Sequence, residues 1–154
     1  MRITKHRGKR EDNGEWVYGA FYPINDEDVY FIINNCKSID FDDGDTTFNG
    51  YKVHKKSVGE FTGLHDKNGK EIYDGDIIKW GMHKGSEEYF HRYAVVEFNP
   101  DIQFRILFYV NSETGEKKPT DNYIFHFGKF AYKETDKHIE IIGKGFENAG
   151  LVKL

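Results

Sequence analysis

The stretch EFTGLHDKNGKEIYDGDIIKW, residues 60–80, decides the fold. Phe61 and Leu64 flank Thr62 and Gly63. Asp66-Lys67-Asn68-Gly69 then offers a carboxylate that can cap its own turn and a glycine free to take positive φ. Apolar segments joined by such a turn read as a hairpin. Ile72 and Tyr73 resume the apolar pattern and Asp74-Gly75 reverses the chain again. Asp76-Ile77-Ile78-Lys79-Trp80 follows as a β-branched run bracketed by charges, the composition of a strand. The stretch specifies strands and turns and carries no reaction signature.

Toward the amino terminus, Tyr51-Lys52-Val53-His54 alternates as a short strand, and residues 55–59 bridge it to the decisive stretch. Residues 34–50 turn acidic, with Asp40, Asp42, Asp43 and Asp45 around Gly44. Oxygen ligands at alternating positions suit calcium, but Tyr51 stands where a calcium loop needs its bidentate glutamate. A solvated acidic loop is the plainer reading. Residues 16–21 and 29–33 read as two strands of an antiparallel hairpin with a loop over 22–28. Before them KHRGKR, residues 5–10, concentrates positive charge of the kind that binds phosphate. Lysine and arginine also guard strand edges, and Glu11-Asp12 cancels much of the local field. Asn13-Gly14 marks a tight turn.

Toward the carboxy terminus, residues 81–88 hold two glycines and no sustained period, which predicts a loop. Residues 89–98 alternate aromatic, basic and aliphatic side chains until Asn99-Pro100-Asp101 stops them, because proline cannot donate to a ladder. Residues 103–110 are apolar apart from Arg105, the pattern of a strand covered on both faces or at an interface. A polar connection over 111–122, an aromatic alternation over 123–132 and a last strand over 138–142 complete the chain. No apolar stripe of helical period persists over three turns, so helix is expected only as a turn near 146–151 or in a loop.

The chain has 154 residues, enough for one ordinary domain or two small barrels. Hydrophobic residues make up only 38% and charged residues 31%, yet 13 Phe, 10 Tyr and 2 Trp supply large buried areas per side chain, so the core is expected to be aromatic. Cys36 is the sole cysteine, which excludes an intrachain disulfide and a zinc site built on paired cysteines and suits a reducing cytoplasm. No run reaches the roughly 20 apolar residues needed to cross a bilayer, and charges rather than an apolar signal core follow Met1. A net charge of -4 weakens non-specific attraction to nucleic acid, although a local basic patch remains open.

Three segments carry a family resemblance. Phe61-Thr62-Gly63-Leu64, Asp66-Lys67-Asn68-Gly69-Lys70-Glu71-Ile72-Tyr73 and Asp74-Gly75-Asp76-Ile77-Ile78-Lys79 together resemble the signature of the YopX family of bacteriophage and prophage proteins. Asp74 stands where that family usually has glutamate. Arg7-Gly8-Lys9 with Gly14-Glu15-Trp16-Val17-Tyr18-Gly19 is similar to its amino-terminal pattern. Ile139-Glu140-Ile141-Ile142-Gly143 with Phe146-Glu147-Asn148 is similar to its carboxy-terminal one. The resemblance implies a mainly β protein of phage or prophage origin in the cytoplasm of a bacterial host, and it brings no catalytic residues.

The expected fold is all-β, mainly antiparallel, built of SH3-like small barrels with little helix. A division is placed between a β unit over 1–58 and a barrel over 59–154 that carries the family motif, the two sharing one intertwined domain as the alternative. Within the motif, Thr62, Gly63, Leu64, Asp66, Gly69, Tyr73, Gly75 and Asp76 read as turn and strand residues. Asp74 and Asp76 could hold a metal or pass protons, but carboxylates beside a turn glycine more simply accept backbone hydrogen bonds. The seven histidines form no metal-ligand pair, Cys36 lacks an electropositive setting, and phosphate-loop, dinucleotide and serine-hydrolase motifs are missing. No cofactor is expected, and an enzyme has no positive support. A binding or accessory module is the expectation, with nucleic acid, a host protein or a second copy as partner and no membrane. Its candidate surface is Arg7, Lys9, Trp80, Tyr89, Phe90 and Arg92, whose aromatics suit stacking if exposed and core if buried.

Overall fold

The computed structural model describes residues 4–24, 29–39, 46–81, 90–120 and 122–152, with the backbone alone for 35–39 and 46–49. The acidic loop over 40–45 with its candidate calcium ligands, part of each of the loops over 22–28 and 81–88, Tyr89 and the Cys36 side chain lie outside what is described. The chain divides into two compact units, Met1–Phe61 and Thr62–Leu154.

The first unit holds β1 (His6–Lys9), β2 (Trp16–Ile24), β3 (Val29–Ile39), β4 (Thr46–Lys52), a 3-10 turn over Lys55–Ser57 and the start of β5 (Gly59–His65). The strands lie in the order β4-β3-β2-β1-β5, each antiparallel to its neighbour. The β1–β2 turn follows from Asn13-Gly14: Asn13 Oδ1 accepts the Glu15 amide at 2.9 Å and Gly14 takes φ +73°. Strand β2 changes partner along its length, pairing with β1 from Trp16 to Gly19 and with β3 from Ala20 to Ile24. At the handover a methyl on Gly19 would run into the Ile33 carbonyl oxygen. Ile32 and Val53 are fully buried, and the Arg10 guanidinium lies 4.1 Å from the Tyr51 ring centroid.

The second unit takes the rest of β5 and then β6 (Glu71–Tyr73), β7 (Asp76–Gly81), β8 (Phe90–Phe98), β9 (Ile102–Asn111), β10 (Lys117–Pro119), β11 (Ile124–His126) and β12 (Glu140–Lys144). Two four-residue helices, α1 (Thr135–His138) and α2 (Ala149–Val152), flank β12. The sheet order is β10-β9-β8-β7-β12, and β11 also pairs with β9. Ile78, Trp80, Val96, Phe104, Ile106 and Phe130 anchor one core cluster. It is aromatic, as the composition implies: Trp80 meets Phe130 edge-on at 5.2 Å and Phe125 edge-on at 5.8 Å, and Phe104 meets Phe130 at 5.0 Å. No helix among the described residues is long and apolar enough to cross a membrane.

The mainly antiparallel β architecture agrees with expectation; no closed barrel is found among the described residues, so the SH3-like part of that expectation is not confirmed. The sheet of the second unit ends at β10 and at β12. Strands also run past their expected limits: β3 continues to Ile39 because β4 begins at Thr46 and pairs with it, and cross-strand hydrogen bonds outweigh polar composition. Likewise the polar connection over 111–122 contains β10, an exposed edge strand. The aromatic run over 123–132 is strand only at Ile124–His126, then tightens into a 3-10 turn at Phe127–Lys129 that delivers Phe130 to the core. In β9, Phe104, Arg105 and Ile106 are buried, with Arg105 Nε donating to Glu97 Oε1 at 2.7 Å, and the outer residues are half-buried.

Because Trp80 is 1% exposed among edge-on rings, Trp80→Ala is expected to cost about 3–5 kcal/mol. Urea unfolding should show it as a lowered midpoint with little change of slope. Tyr22→Ala, at a 57% exposed position, should stay within about 0.5 kcal/mol of the parent.

Candidate functional site

The family motif folds into two turns held by buried carboxylates. At the β5–β6 turn, Asp66 is fully buried, and its Oδ1 accepts the amides of Asn68 at 2.8 Å and Lys70 at 2.9 Å. Oδ2 accepts the Ile141 amide of β12 at 3.1 Å. Gly69 closes the turn at φ +76°, donating its N–H to the Asp66 carbonyl. Two neighbouring bonds tie the same segment down: Lys67 N–H to Ile139 O at 2.8 Å, and Thr135 Oγ1 to His65 O at 2.8 Å. Burial alone would push the Asp66 carboxyl up, but the amides of Ile141, Lys70 and Asn68 together hold it below the ordinary carboxylate range.

Thr62 donates its hydroxyl to Ile72 O at 2.7 Å across the hairpin and accepts the Leu64 amide. Gly63 between them takes φ +84°. At the second turn the fully buried Asp76 accepts the Tyr73 amide through Oδ2 at 2.8 Å, and Tyr73 donates its hydroxyl to Glu71 at 2.7 Å. Gly75, at φ +82°, donates to Val96 O and accepts from Gly145 N. The motif residues thus meet in two turns that backbone hydrogen bonds clasp. Asp76 spends carboxylate capacity on the backbone, and no group of three His, Cys, Asp or Glu side chains among the described residues is placed to hold a metal.

The candidate binding residues divide. Arg7 and Lys9 lie on β1 of the first unit: Arg7 is buried, its guanidinium 5.0 Å from the Trp16 ring centroid, and Lys9 gives its amide to Ser57 Oγ. Trp80 is core and is withdrawn from the binding surface, its side chain packed against the rings of Phe104, Phe125 and Phe130. Phe90 and Arg92 do come together. With Tyr109, Lys118 and Pro119 they line a groove of about 290 Å³. Its construction follows from register: Arg92 on β8 faces Tyr109 on β9, which faces Lys118 on β10, so the three side chains share one face of the sheet. Phe90 is two residues before Arg92 and joins that face.

In the groove the Arg92 guanidinium lies 5.9 Å from the Tyr109 ring centroid and Lys118 Nζ lies 4.8 Å from that of Phe90. Among the described residues, Arg92 Nη1 is buried without a hydrogen-bond partner. Among the described residues neither cation meets a carboxylate. On the opposite face, burial together with Lys79 and Lys67 holds His91 below its ordinary value. Tyr109, Lys118 and Pro119 carry no binding signal in the sequence, since Tyr109 sits in a nearly continuous apolar run and Lys118 and Pro119 in a polar connection. The pairing of β10 with β9 is what assembles them.

Replacing Asp66 with Asn would set an amide group against one of three backbone donors. The expected cost at pH 7 is about 2–3 kcal/mol, read by urea unfolding. Since the folded carboxyl titrates below its unfolded value, its contribution is complete above roughly pH 4 and is lost as pH falls through the folded pKa. The parent should therefore lose stability more steeply than Asp66→Asn in that acid range.

Comparison with curated proteins finds no match. A family model described as YopX protein matches residues 5–153, nearly the whole length and both turns of the clasp. The chain belongs to the YopX family.

Proposed function

We propose that the chain is a non-catalytic binding or accessory module of phage or prophage origin, working in the cytoplasm of a bacterial host. Its ligand surface is the groove of Phe90, Arg92, Tyr109, Lys118 and Pro119. One observation carries the reading: a buried guanidinium nitrogen of Arg92 meets no hydrogen-bond partner among the described residues. A buried donor left unsatisfied costs about 1–3 kcal/mol, and an incoming oxyanion would recover it. Lys118 on the edge strand adds a second positive charge, while the rings and Pro119 give an apolar floor. A metal-dependent reaction at Asp74 and Asp76 is the weaker reading, because the Asp76 carboxylate already serves the Tyr73 amide.

A second reading rests on the first unit. Tyr22, Ile24, Phe31 and Ile33 line an apolar hollow of about 360 Å³ on the β2–β4 sheet, a surface that self-association would cover. Light scattering coupled to size exclusion should then give a mass above that of one chain, reduced by Tyr22→Lys. A single-chain mass at high concentration removes this reading.

The groove is tested by amide nuclear magnetic resonance during titration with three polyanions: oligothymidylate, heparin-derived oligosaccharide and poly-glutamate. At least one should shift the signals of Phe90, Arg92, Tyr109 and Lys118 selectively, and Lys118→Glu should abolish the response. No shift at these residues with any of the three overturns the reading.

A further inference from the structure

The groove has rings as well as cations, and the two alternate. Following the cross-strand row from β8 to β10, a guanidinium, a phenol ring and an ammonium succeed one another, with the Phe90 ring beside them. These rings differ from the other large aromatics of the sheet. Phe108, on the opposite face, stacks on Tyr93 at 4.8 Å and 18°, and Trp80 is enclosed by three phenylalanines. Among the described residues Phe90 and Tyr109 meet no other ring, and each is only half-buried. Each has a cation against it, as Phe108 has Lys117 3.8 Å from its ring centroid, but the groove rings carry theirs with no second ring stacked on them.

We propose that the groove binds single-stranded nucleic acid, with phosphate oxygens on Arg92 and Lys118 and a base laid against Tyr109 or Phe90. This rests on the reading of the groove as an anion-binding surface. Each nucleotide of a single strand presents one flat ring and one phosphate, which matches the alternation of rings and cations. A duplex buries its rings in its own stack and offers only phosphates, leaving the groove's apolar floor unused. An extended acidic peptide would be expected to add to the sheet edge, but β10 is a three-residue edge strand bearing two lysines and Pro119, which has no N–H to donate. Glu113 and Glu116, on the exposed turn before β10, repel a polyanion at that end and favour a strand that runs toward Pro119.

Fluorescence anisotropy of a labelled 15-nucleotide oligothymidylate at low and rising salt tests this with the full-length chain. The competitors are the same oligonucleotide annealed to its complement and a poly-glutamate of equal charge. Single-stranded binding is expected, weakening steeply with salt and preferred over the duplex at least tenfold. Tyr109→Ala should weaken it roughly 5- to 100-fold. Lys118→Gln, at an exposed position that leaves folding intact, should weaken it severalfold and flatten the salt dependence, whereas Lys117→Gln, on the other face, should leave binding within twofold. Equal affinity for single strand and duplex, or equal effects of Lys117→Gln and Lys118→Gln, would overturn the proposal. Binding of poly-glutamate in the groove without binding of the oligonucleotide would overturn it while leaving the anion-binding reading standing. Binding of neither overturns the proposal, and the anion-binding reading falls with it when heparin-derived oligosaccharide also leaves the groove signals unshifted.

Discussion

The second unit depends on one buried carboxylate. Asp66 sits out of contact with water and receives three backbone N–H groups, two from its own turn and one from β12, more than seventy residues later in the chain. Burying a charge is costly unless every lone pair facing the protein is answered. Here the two amides of the turn fix the β5–β6 reversal, and the third fixes where β12 lies. The bulge of β12 falls between Ile141 and Gly143, just past that contact. Lys67 and Thr135 add bonds on either side of the same point. A local turn and a distant strand thus share one acceptor, and neither arrangement is satisfied without the other.

That arrangement explains which features are legible in the sequence. The two turns are local events: Asp66 with Gly69, and Asp76 with Gly75, act within a few residues of themselves, so side-chain chemistry and spacing suffice. Strand identity over residues 76–80 and 90–98 is equally local, because β-branched and aromatic side chains announce it. The aromatic core also follows from composition. The Ile141 contact is not legible, since nothing near residue 66 names a partner in the last strand. Nor is the termination of the sheet at β10 and β12, which depends on how strand ends meet rather than on any one strand.

The groove shows the same limit. Phe90 and Arg92 stand out in a sequence as an aromatic beside a cation, and so does Trp80. Yet Trp80 faces Arg92 across the strand pair, and a short distance along that row decides between core and surface. Edge-on rings close over the indole, whereas Tyr109 packs against the margin of the same core and Lys118 lies farther out, on the edge strand. Composition cannot supply this distinction, because both positions hold large side chains in alternating strands. The contribution of Lys118 comes from a segment whose polarity suggests a loop, and three backbone pairings with β9 convert it into the rim of a groove.

In the first unit, β2 transfers from β1 to β3 at Gly19, where the Ile33 carbonyl oxygen occupies the space of any side-chain carbon. All nineteen alternatives to glycine add that carbon, and the obstacle is main chain, which cannot rotate aside as a side chain would. Position 19 thus has no mutational latitude: descendants of this sequence keep a bare α-carbon where two strands exchange one neighbour.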